Sequence, residues 1–119
     1  MKIKYIHEPN DLQCGQAVLA MLTGVDINRI IEDCETERET KLVDMKRVLL
    51  KYGFILSGER RSADTVNDLP EIALLSLETP RCWHWSLYAF GTVYDPEHGI
   101  LKDFPVSNRK YYWEILSNS

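Results

Sequence analysis

No stretch of this chain is apolar for long enough to cross a bilayer as a helix, which takes about 20 residues, so a membrane-spanning protein is not expected. The opening MKIKYIHEPND turns polar after Ile6 and lacks the continuous apolar segment of a secretory signal. Positive charge is also scarce: 14 Lys and Arg face 18 Asp and Glu, for a net charge of −4. The basic residues are dispersed, the run ERR at Glu59–Arg61 being the densest, and without a basic stripe a nucleic-acid partner is not expected. Cysteine is limited to Cys14, Cys34 and Cys82, an odd number at wide spacings that fits neither a disulfide framework nor a zinc finger. Free thiols suit a reducing compartment, and the expected location is cytoplasmic. Internal repeats and low-complexity segments are missing as well.

What is present is an ordinary globular composition, 45% hydrophobic and 27% charged, and 119 residues suffice for one domain with one core over residues 1–119. From Cys14 the apolar residues Ala17, Val18, Met21 and Leu22 recur at helical spacing, and Gly24 is placed to end that helix. Asp26 is an N-cap candidate for a second helix with Ile27, Ile30, Ile31 and Cys34 on one stripe, where Cys34 reads as core. Thr40 is the cap candidate of a third, carrying Leu42, Met45, Leu49 and Tyr52 and stopping at Gly53.

Strand signals follow. FILSGERR is one candidate, SADTVNDLP a loop, and EIALLSLE a short apolar run of buried-strand length. RCWHWSLYAF alternates, with His84, Ser86, Tyr88 and Phe90 on one face and Trp83, Trp85, Leu87 and Ala89 on the other. Gly91 permits a tight turn into TVYDP, where Pro96 must stop the strand. A closing helix is expected from about Asn108 to Leu116, docking Tyr112, Ile115 and Leu116. Helices first and strands after indicate an α+β fold.

The sequence NDLQCGQAVLAML sets a thiol where a polar loop becomes a helix. There Cys14 faces unsatisfied N–H groups and the positive end of the helix dipole, which favours thiolate. Gly15 leaves the backbone beside the sulfur uncluttered, and the Cys14 N–H can donate to an oxyanion. A nucleophilic cysteine needs a histidine to take and return its proton. Of His7, His84 and His98, only His84 lies on an expected strand, between Trp83 and Trp85, which would shield it. Asp95 ends the partner strand near the level of His84 and can hold the other imidazole nitrogen. His7 and His98 read as exposed loop histidines. Cys82 is two residues from His84, but no third and fourth ligand suggest a metal site.

LQCGQAVLAMLTG, HWSLYAF and GTVYDPEHG, in that order, resemble the papain-like cysteine peptidases that process bacteriocin precursors after a double-glycine leader, over about Asp11 to Gly99. The resemblance implies a papain-like α+β fold with N-terminal helices on a C-terminal antiparallel sheet. It also implies Cys14 as nucleophile, His84 as general base and acid, Asp95 as orienting carboxylate, and no cofactor or metal. The substrate it implies is a peptide or protein. The bare length leaves little room for extended recognition loops, so action on a dedicated partner, or as part of a larger assembly, is expected. That family usually has a glutamine six residues before the cysteine, donating to the oxyanion; here the position is Glu8, and an ionised carboxylate cannot donate. Gln13 and Asn10 are the other candidates for that donor. The alternatives are a deamidase or acyl transferase with the same triad, an inactive peptide-binding module, and, more remotely, a redox or metal protein using the three thiols.

Overall fold

The computed structural model describes residues 2–117. Three helices come first: α1 (Cys14–Thr23), α2 (Ile27–Cys34) and α3 (Leu42–Lys51). Seven strands follow: β1 (Phe54–Leu56), β2 (Arg61–Ser62), β3 (Ile72–Glu78), β4 (Trp83–Ala89), β5 (Thr92–Asp95), β6 (Gly99–Leu101) and β7 (Arg109–Ser117). They form one antiparallel sheet in the order β1-β7-β3-β4-β5-β6, with β2 also on β7. The α+β expectation holds.

The helix boundaries follow local chemistry. Gly24 ends α1 in the left-handed conformation, its N–H donating to Ala20 O, and the Asp26 carboxylate accepts the Asn28 N–H as the cap of α2. α1 departs from the expected single apolar face: every residue from Gly15 to Leu22 is buried, because the helix runs between the sheet and the other two helices. Thr40 is not the cap of α3. That position falls to Lys41, whose N–H donates to Asp44 Oδ2 at 2.9 Å, while Thr40 turns inward against the Met45 sulfur.

The helices cover one face of the sheet, where Leu19, Met21, Ile30, Met45, Leu49 and Leu74 pack with Leu87, Trp113 and Ile115. Cys34 belongs to this core, as its stripe predicts. On the opposite face Ala73, Leu75, Leu77, Tyr88 and Val93 are covered by Leu101 of β6 and by Val66, Leu69 and Phe104 from the segments between strands. Cover on both sides explains why β3 reads as a continuous apolar run.

Two expectations fail here. FILSGERR is not one strand but β1 and β2, separated by residues 57–60, which pair with successive parts of β7. The closing helix is wrong: residues 109–117 are β7, a strand enclosed between β1–β2 and β3. Its Tyr, Trp and Ile residues favour a pleated surface. Alternation sends Trp113 and Ile115 into the helix-side core while Tyr112 packs on the other face.

Candidate active site

Cys14 opens α1, and Gly15 beside it permits a close approach. A Cβ there would lie 1.9 Å from Thr40 Oγ1 and 3.0 Å from Trp85 Cδ1. The Trp85 side chain donates to Thr40 O at 3.1 Å, tying β4 to the start of α3. The β4–β5 ladder ends at the Leu87–Tyr94 pair, and beyond it the Trp85 N–H donates to Cys14 Sγ at 3.4 Å. The thiol is thus placed against the backbone of the residue that follows His84.

His84 is buried, and its Nε2 lies 2.7 Å from Asp95 Oδ2. Its Nδ1 is buried without a hydrogen-bond partner among the described residues, Glu97 Oε2 being 3.9 Å away. The β4–β5 register, carried one pair further, sets Asp95 across from Ser86, so it reaches His84 as a diagonal neighbour on the same face. Asp95 is fully buried. Its Oδ1 accepts the N–H groups of Glu97 (3.0 Å) and His98 (2.9 Å) and lies 2.9 Å from His98 Nδ1, while Tyr5 donates to its carbonyl at 2.7 Å.

These surroundings set the charges. Burial works against the Asp95 carboxylate, but the hydrogen bonds and charge of His84, with those of His98, outweigh it and bring Asp95 down to about 2. Burial likewise opposes the His84 imidazolium, yet the Asp95 contact and the charges of Asp95, Glu97 and Glu8 raise it above the ordinary histidine value. Cys14 runs against the expectation of a favoured thiolate. Burial pushes it up to about 12, and the Trp85 and Gly15 N–H groups recover only part of that.

Cys14 and His84 line one cavity of about 370 Å³ with Asp11, Leu12, Cys82 and Trp83. Trp83 and Trp85 point to the other face of β4 yet line the same cavity as His84. Trp83 stacks on Tyr111 and Trp85 joins the helix-side core, whereas His84 shares its face with Asp95 and lies 5.9 Å from the His98 ring. The Gln13 amide is committed to Glu37 O at 3.1 Å, and Asn10 Oδ1 accepts the Leu12 N–H at 2.9 Å. Glu8 is buried, with its N–H donating to Pro96 O at 3.0 Å beside Asp95. His7 is exposed, as expected.

His98 lies in an exposed turn, as expected, but its ring also pairs with Asp95, a contact the sequence reading did not include. The signal was its spacing: three residues beyond Asp95 in DPEHG, a tight turn returns a side chain to the carboxylate. Ligand atoms of His84, Asp95 and His98 lie within 4.8 Å of one another, but the Asp95 oxygens are occupied by the two imidazoles, and three donors fall short of a closed structural zinc site.

No protein-family model and no curated protein matches the chain. Solved structures do. The peptidase domain of Streptococcus ComA, a bifunctional ABC transporter of a quorum-sensing pathway, superposes with a TM-score of 0.68 at 18% identity, over 98% of this chain and 99% of that one. A double-glycine-motif protease from an AMS/PCAT transporter, solved with its leader peptide, gives 0.64 at 17% identity, over 94% and 91%. The peptidase domain of Streptococcus mutans ComA gives 0.60 at 20% identity, over 95% and 98%. The chain therefore has the papain-like fold of double-glycine peptidase domains, the fold that its motif order resembled. Among the described residues no helix is long and apolar enough to cross a membrane.

Proposed function

We propose that the chain is a cysteine peptidase that hydrolyses a peptide amide bond through Cys14, His84 and Asp95. The observation that carries this reading is the division of the His84 imidazole: Nε2 is held by a buried carboxylate, and Nδ1 has no partner among the described residues, in a side chain lining the same cavity as Cys14. That is the arrangement a general base requires.

In this reading Cys14 Sγ attacks the carbonyl carbon while His84 Nδ1 takes the thiol proton, so a buried neutral thiol need not ionise beforehand. The oxyanion lies against the Cys14 N–H, one of the unsatisfied donors of the first helical turn. The intermediate collapses to a thioester, and the amine leaves with the proton from His84. Water then attacks the thioester, His84 takes its proton, and the acid departs as the proton returns to sulfur. Asp95 keeps the imidazole in one orientation throughout. No metal or organic cofactor takes part.

The solved neighbours are peptidase domains of transporters, one of them holding a leader peptide, which favours a dedicated peptide substrate and work within a larger assembly. The three free thiols favour a cytoplasmic setting. Deamidation and acyl transfer share the thioester and differ only in what enters and leaves. A second reading, an inactive peptide-binding module, draws on Glu8, whose carboxylate would repel an oxyanion. The test is cleavage of a peptide library followed by mass spectrometry. Products that vanish in Cys14→Ala and His84→Ala support the peptidase. Peptides retained uncleaved by the wild type and by Cys14→Ala alike would replace it with the binding module.

A further inference from the structure

The polar segment between α2 and α3 is held in place by side chains from elsewhere in the chain. The buried Gln13 donates its amide to Glu37 O at 3.1 Å, and the buried Gln16 donates to Thr36 O at 3.1 Å and Arg38 O at 2.9 Å. The Trp85 indole holds the next carbonyl but one, Thr40 O, at 3.1 Å. Gln13 and Gln16 stand on either side of Cys14 and Gly15, so the segment is clamped beside the nucleophile. Its Glu39 lines the same cavity as Cys14 and His84.

That cavity has two kinds of wall. Leu12, Trp83 and Trp85 supply apolar surface, while its carboxylates are Asp11 and Glu39, and no Lys or Arg lines it among the described residues. Asp11 is paired with Arg81 at 2.8 Å, whereas Glu39 forms no hydrogen bond or ion pair among the described residues. The buried His84 Nδ1, without a partner in the same lining, is a second polar group that a bound ligand would satisfy. Trp83 remains 46% exposed and stacks on Tyr111, whose ring carries the Arg60 guanidinium at 4.0 Å, so this aromatic surface already holds one cation. An aromatic wall with a free carboxylate suits a side chain that has an apolar stem and a cationic head.

We propose that the Cys14 cavity selects a lysine or arginine at one of the two residues on the acyl side of the scissile bond, with its stem against Trp83 and its charge on Glu39. This rests on the peptidase reading and adds to it the substrate class, peptides cut beside a basic residue. Glu39 touches the substrate away from the reacting atoms and sets specificity. The net charge of −4 acts in the same direction, drawing basic peptides towards the protein.

The test is alkylation of Cys14 in the whole chain by peptidyl chloromethyl ketones, read by intact mass. Sulfur displaces chloride from the carbon beside the ketone and forms a thioether, and the thiol proton passes to His84. The probes carry lysine, norleucine or glutamate at the first or second position before the ketone and alanine elsewhere; norleucine keeps the lysine stem and drops its charge. At one of the two positions the lysine probe is expected to react about fivefold faster than the norleucine probe, the worth of one solvent-accessible ion pair, and the ratio should shrink as salt is added. In Glu39→Gln the ratio should approach one, and in Glu39→Lys the glutamate probe should overtake the lysine probe. Trp83→Ala should slow the lysine and norleucine probes alike. Equal wild-type rates for lysine and norleucine at both positions, or a lysine preference that survives Glu39→Gln, overturns this proposal, and alkylation that still requires His84 leaves the peptidase reading standing. Absence of Cys14 alkylation by every probe, or alkylation indifferent to His84→Ala, overturns the peptidase reading and this proposal with it.

Discussion

His84 and Asp95, eleven residues apart in the chain, meet at 2.7 Å through adjacent strands, and neither side chain is accessible beyond a few per cent. A hydrogen bond between groups so buried is strong, and losing one partner leaves the other uncompensated. The pair therefore governs both the stability of the sheet end and the aim of the imidazole. Four predictions can be tested directly.

Replacing Asp95 with Asn keeps the shape but removes the charge that holds His84 and His98. The expected cost is about 3 kcal/mol of stability and a loss of activity on the order of 10⁴-fold. Urea unfolding and peptide turnover check the two separately. Wild-type turnover in this variant would remove Asp95 from the mechanism.

Cys14 should react as a neutral buried thiol. With its titration pushed up to about 12, the alkylation rate should keep climbing as pH rises through 9, the ordinary cysteine value, without a plateau. Rate against pH by intact mass decides it. A plateau on the acid side of neutrality would mean a thiolate–imidazolium pair in the resting protein, and His84 would then act from its charged form.

Stability should peak at mildly acidic pH. Asp95 is depressed from 3.8 to about 2, so its contribution is complete above the higher value and is lost as pH falls through the lower. His84 is raised from 6.5, so its contribution is complete below 6.5 and is lost as pH rises through its folded value. Glu8 is raised from 4.5, chiefly by burial, so its contribution is complete below 4.5 and is lost as pH rises through its folded value. Thermal unfolding across this range should give the highest midpoint between 3.8 and 6.5. A midpoint that climbs steadily towards alkaline pH would contradict these directions.

Gly15→Ala tests the approach of α1 to β4 and α3. The new methyl would meet Thr40 Oγ1 at 1.9 Å, so the helix start or Thr40 must move, at about 1–3 kcal/mol. Because the Trp85 N–H holds the Cys14 sulfur, the same shift should change Cys14 alkylation. An unchanged unfolding midpoint would show that Thr40 yields freely.

The elements legible in the sequence are those specified by neighbours a few residues away. α1 and α2 carry their stops and caps in Gly24 and Asp26. The β4–β5 hairpin announces itself by alternation and by a two-residue turn in which Phe90 and Gly91 both have positive φ, 46° and 89°. β7 had no such local mark. Its partners β1, β2 and β3 lie dozens of residues earlier in the chain, beyond the reach of any local pattern.

The site divides in the same way. That Cys14 opens a helix and that His84 and Asp95 fall on adjacent strands could be read from residue types and spacing, because helix start, alternation and tight turn are all set by neighbours a few residues away. Tertiary structure alone decided the rest: that the thiol is buried enough for desolvation to outweigh the helix terminus, that His98 pairs with Asp95, that Gln13 is turned to Glu37, and that Glu8 is buried with its backbone on Pro96. Each of these depends on which groups distant in sequence exclude water from one another, and local spacing carries no record of that.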